Sequence, residues 1–79
     1  MERYVFSNRA RAEVALAQMK QLIEWYGVAS RADMKDIHGT LSGADDQRFG
    51  WNDLGNAIIE SDVFEGQFVL ALPRAARLD

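Results

Sequence analysis

Apolar residues recur at three- and four-residue steps from Ala12 through Ala15, Leu16, Met19, Leu22 and Ile23 to Tyr26. That is one stripe of an amphipathic helix, predicted from about Asn8 to Tyr26. Ser7 or Asn8 can cap its start, and Gly27 is the expected left-handed C′ residue. A second, short helix is predicted from about Arg31 to Ile37, because Ser30-Arg-Ala-Asp33 has capping-box spacing and Gly39 provides a stop. From Gly39 to Gly50 the composition turns to Gly, Ser, Thr, Asp and Gln, a loop long enough for a small domain to suggest a mobile or functional segment. Phe49 and Leu54 then have the spacing of a hydrophobic staple around a Gly50 N-cap, and Trp51, Leu54 and Ile58 share one helical face. This predicts a third helix lasting to about Ser61. Last comes a β-hairpin: Val63-Phe64 and Gln67–Leu72 around a Glu65-Gly66 turn, ended by Pro73.

The expected fold is therefore α+β, with three helices followed by a C-terminal β-hairpin in a winged-helix-like outline. Residues 1–79 form a single domain with the loop at 39–50. The predicted core is Leu16, Met19, Leu22, Ile23, Ile37, Leu54, Ile58, Phe68, Leu70 and Leu72. No apolar run approaches the roughly 18 residues of a membrane-spanning helix, so no membrane partner is expected.

Composition narrows the chemistry. The chain has 79 residues, no cysteine and one histidine, which leaves no thiolate or multi-histidine metal site and little for acid–base catalysis. His38 precedes Gly39 at a predicted helix end, an ordinary place for a histidine. Asp45-Asp46 lacks the alternating carboxylates of a calcium loop and is expected to be a solvated loop tip or a local turn former. The glycines form no phosphate-binding sequence. No enzymatic activity, metal or cofactor is expected.

Charge is unevenly distributed. Residues 1–23 hold four basic and two acidic groups, residues 66–79 two basic and one acidic, and residues 24–65 three basic and nine acidic. Basic ends around an acidic middle suit docking on a protein partner, or on further copies of the chain. In so small a domain two tryptophans cannot both be deeply buried, and exposed aromatics are enriched at interfaces. The expected partner-binding set is Phe49, Trp51 and Trp25 as apolar anchors, with Arg9, Arg11, Arg74 and Arg77 as charged rim contacts. The alternative is a winged-helix-type DNA-binding regulatory protein, with Arg3, Arg9, Arg11, Arg74 and Arg77 on phosphates. Nucleic acid is disfavoured, because residues 51–60 carry Asp53 and Glu60 and no Lys or Arg, the wrong sign for a recognition helix.

Phe49-Gly-Trp-Asn-Asp-Leu54 resembles a segment common in small proteins of actinobacterial phages, of mycobacteriophage type. Tyr26-Gly27, Ala32-Asp33 and Leu72-Pro73-Arg74 match the other motifs of that group, over roughly residues 14–78. The chain departs from the pattern with Phe49 in place of tryptophan and with Gln67-Phe68 in place of Gly-Tyr. The resemblance implies a phage protein, either a virion or assembly component or a host-directed regulator, and carries over no catalytic residue. With no signal-peptide core in the first residues, the expected location is the host cytoplasm or the virion. The leading expectation is a non-enzymatic protein–protein interaction module, a small structural or assembly component of a phage particle.

Overall fold

The computed structural model describes residues 1–62 and 65–78. The first two of the three expected helices are present, each within one residue of its expected bounds. Helix α1 (Arg9–Tyr26) starts where the Asn8 side chain accepts the Arg11 backbone N–H, and ends at Gly27 with φ 84°. Helix α2 (Arg31–His38) carries a complete capping box, the Ser30 hydroxyl and the Asp33 carboxylate each accepting the other residue's N–H. The strands are β1 (Glu2–Phe6), β2 (Ala29–Ser30), β3 (Phe49–Trp51), β4 (Ile58–Asp62), β5 (Gln67–Leu72) and β6 (Ala76–Arg77). They form two antiparallel sheets, ordered β1-β5-β4 and β2-β3-β6.

This overturns the winged-helix outline. The described residues contain two α-helices and six strands, and there is no third helix at 49–61. Phe49–Trp51 is instead the central strand of the small sheet. Asn52 to Asn56 is a turn in which the Asp53 carboxylate accepts the Gly55 N–H at 2.7 Å, with Gly55 at φ 52°. Short polar side chains that bond their own backbone outcompete a helix of that length. The chain then enters β4 at the β-branched pair Ile58-Ile59.

The hairpin also differs from expectation. Its first strand is β4, turned back by Gly66 at φ 66°, while the expected strand residues Val63 and Phe64 lie outside the described residues. Within the expected loop, Ala44–Gln47 forms a 3-10 helix and Phe49-Gly50 already belongs to β3.

One face of the larger sheet builds the core. Tyr4 pairs with Leu70 and Phe6 with Phe68, and Leu72 continues the same face. Against it lies α1, whose buried residues are Ala12, Ala15 and Met19; two alanines let the helix approach the sheet closely. Met19, Leu54, Leu70 and Leu72 are buried as expected, and Leu16, Leu22, Ile23, Ile37 and Phe68 pack half-buried around them. Ile58 is a correction. It pairs with Ala71 on the outer face and is 51% exposed, while Ile59, opposite Leu70, points inward. Period-2 alternation rather than a helical step sets its direction. Tyr26, placed on the apolar stripe of the first helix, is 71% exposed.

Candidate docking surface

A polar clasp fixes α2 against the N-terminal strand. Arg31 donates from Nε and Nη2 to both carboxylate oxygens of Glu2, at 2.9 and 2.8 Å, and the Ala75 backbone N–H donates to the same carboxylate at 2.9 Å. On its other side the guanidinium stands 3.7 Å from Asp46, whose second oxygen accepts from Lys35 Nζ and from the Gly43 N–H, both at 2.8 Å. Asp46 is buried, so the solvated-loop-tip reading is corrected and the turn-former reading holds: Asp45 and Asp46 lie in the 3-10 helix, and Asp46 anchors it to α2. Arg31 and Lys35 stand one helical turn apart on α2, and that spacing was the available signal for a shared anion. No local pattern points to Glu2, which is 29 residues from Arg31.

The electrostatics follow from this geometry. Burial alone would raise the Glu2 carboxyl, but Arg31 and the Ala75 amide outweigh it and hold it below the ordinary value. Lys35 and then the Gly43 amide hold Asp46 low, while the Glu2 hydrogen bond raises Arg31. Burial, then the charge of Glu2, pushes the Tyr4 phenol up to about 12. His38 closes the far end of the clasp. Its Nε2 donates to the Val5 carbonyl at 2.7 Å, and its ring stands edge-on to Tyr4 and Phe6. The histidine therefore pins α2 to β1.

Between α1 and α2 runs an open groove. One part, of about 400 Å³, is lined by Ala10, Arg11, Val14, Ala15, Gln18, Ile37 and others. The next, of about 350 Å³, is lined by Gln18, Gln21, Leu22, Trp25, Asp33, Asp36 and Ile37. Gln18 and Ile37 line both, so the two parts adjoin along α1. At its C-terminal end Trp25, 64% exposed, stands edge-on to Tyr26 with centroids 6.3 Å apart.

The sequence-predicted anchors separate. Trp25 stands in this groove with Arg11, while Arg9 pairs with Glu13 one turn along α1. Trp51 is corrected from exposed anchor to core: it is 3% exposed, and its indole N–H donates to the Pro73 carbonyl at 2.7 Å. Phe49 lies half-buried with the Arg31 guanidinium 5.5 Å from its ring centroid. Arg74 and Arg77 line a different, smaller depression beside Trp51. Arg3, of the alternative's phosphate set, faces Glu60 at 3.4 Å.

Comparison with known proteins finds no matching family model, no similar curated protein and no similar solved structure. Among the described residues no helix is long and apolar enough to cross a membrane, and no group of His, Asp and Glu side chains is arranged to hold a metal ion.

Proposed function

We propose that this chain is a non-enzymatic protein–protein interaction module that docks through the α1–α2 groove, and that it serves as a small structural or assembly component of a phage particle. The observation that carries the docking reading is Trp25. A tryptophan left 64% exposed at the end of a groove is the residue type that most often dominates binding energy once covered. The phage context rests on the resemblance of Phe49–Leu54, Tyr26-Gly27 and Leu72-Pro73-Arg74 to small actinobacteriophage proteins. The charge segregation of the sequence supports docking by complementary fields, with Arg11 at one end of the groove and Asp33 and Asp36 at the other.

The test is capture by immobilised protein from lysate of phage-producing cells, comparing the parent chain with Trp25→Ala, Arg11→Glu and Arg74→Glu. The expected result is a bound protein released by the first two substitutions and kept by the third. Retention of nucleic acid alone, lost steeply as salt rises, refutes the reading, as does capture indifferent to the groove.

A further inference from the structure

We propose that the groove takes α1 of a second copy of this chain, packed antiparallel about a two-fold axis through Gln18. The inference rests on the docking reading and names its partner. The first observation is a second stripe on α1. Arg11, Val14, Gln18, Gln21 and Trp25 are all exposed and follow alternating steps of three and four residues, the spacing of a seam between paired helices. This stripe is separate from the buried Ala12, Ala15 and Met19. It spans about 21 Å of helix and lines the α1 wall of the groove.

The second observation is symmetry. Arg11 and Trp25 each lie seven residues from Gln18, and Val14 and Leu22 each lie four. Reversing the helix direction about Gln18 sets Arg11 of each copy on Trp25 of the other, Val14 on the half-buried Leu22, Gln21 over Ala15, and the two Gln18 amides together, all of them residues that line the groove. The charges obey the same operation. Among the described residues the Arg11 guanidinium makes no ion pair, and neither does the Asp36 carboxylate on the opposite wall. The basic end of one groove therefore meets the acidic, aromatic end of the other twice per dimer, as an isologous interface requires. A helix of another protein would have to reproduce this reversal of charge, whereas a second copy supplies it by construction.

The absence of cysteine makes a clean test available. Gln18→Cys, oxidised with diamide, is expected to form a disulfide-linked dimer, while Lys20→Cys on the far side of α1 remains a monomer under the same treatment. Light scattering of the parent chain should rise with concentration from 8.9 kDa towards twice that mass. Arg11→Asp and Asp36→Arg should each weaken dimerisation about tenfold or more, and the double variant should restore it, which a folding defect would not do. A constant monomer mass with no Gln18→Cys cross-link overturns the proposal, and so does a dimer indifferent to both charge changes. If the chain stays monomeric while its groove captures a different protein, the second-copy inference falls and the docking reading stands. If no groove-dependent capture occurs either, both fall.

Discussion

The clasp around Arg31 and the seam of α1 draw on the same residue types and use them in opposite ways. In the clasp, Glu2, Arg31, Lys35 and Asp46 are matched within the chain at distances of 2.8–3.7 Å, backbone amides complete both carboxylates, and β1, α2 and the 3-10 helix are tied together. Along the groove, Arg11 at one end and Asp36 towards the other make no ion pair among the described residues, and Trp25 is exposed at the acidic end. Charge satisfied internally holds a fold in place, because removing one partner leaves the others desolvated. Charge left unsatisfied beside an exposed aromatic adds little to the fold and is available to another surface. Mutations in the two regions should therefore separate stability from association.

The largest effect is expected at the strand on which the clasp's small sheet depends. Gly50 pairs with Ser30 in β2 and with Ala76 in β6. A Cβ built there would meet the Ala29 carbonyl and come within 2.6 Å of Ser30 Cα, both backbone atoms that cannot rotate aside. Gly50→Ala should cost about 3 kcal/mol or more in a urea or thermal melt. Ser30 is also the N-cap of α2, so the displaced strand should carry the clasp with it. Next comes Arg31→Ala, which strips both carboxylates of their shared guanidinium. Since these groups are part-buried rather than fully enclosed, the expected loss is about 2–3 kcal/mol. A melt unchanged by Arg31→Ala would show that the clasp is surface decoration.

Acid provides a graded way to open the same contacts. Glu2 and Asp46 have folded-state values held below their ordinary 4.5 and 3.8. A carboxyl depressed by folding adds stability that is fully present above its unfolded value and drains as pH falls through the folded one. Stability should thus be flat from neutral pH down to roughly 5 and decline below it. Glu2→Gln should flatten the part of that decline that belongs to Glu2, read from denaturation midpoints taken at a series of pH values. At the alkaline end the sign reverses for Tyr4. Its phenol is raised from 10.0 to about 12, so its contribution holds below 10 and is lost as pH climbs through the raised value.

What the sequence disclosed follows the range of the interactions involved. The α1 stripe advances by steps of three and four residues, the Asn8 cap, the Ser30–Asp33 box and the two glycine stops each act within four residues, and α1 and α2 appear within one residue of where those signals place them. The 49–61 segment misled because Phe49, Leu54 and Ile58 satisfy helical spacing, while Asn52, Asp53, Gly55 and Asn56 carry a competing turn chemistry that prevails. The β1 strand went unread: Tyr4 and Phe6 alternate with Arg3 and Val5, but five residues give a weak period, and the partner strand β5 begins at Gln67. Trp51 was misassigned for a related reason. Its burial depends on β6 and on the Pro73 carbonyl, 22 residues away. The seam of α1 was legible in the spacing of Arg11, Val14, Gln18, Gln21 and Trp25, yet the stronger core stripe on the same helix masked it.

The smallest expected effect on stability is at the seam, and its smallness is the informative part. Trp25 and Val14 are 64% and 55% exposed, so little apolar area returns to water when either is truncated. Trp25 gives up its edge-on contact with Tyr26, itself 71% exposed and free to turn. Among the described residues Arg11 has no ion pair to lose, although its backbone N–H must keep the Asn8 cap, which a side-chain change leaves intact. Trp25→Ala and Arg11→Glu should each shift the melt of the dilute monomer by no more than about 0.5 kcal/mol. Arg11→Glu also places a carboxylate in the first turns of α1, where the helix dipole favours negative charge, so any shift should be towards stability. A loss of more than about 1 kcal/mol from either substitution would mean that these side chains support the fold in ways their exposure does not show. The seam would then belong with the clasp, and the separation between the two regions would collapse.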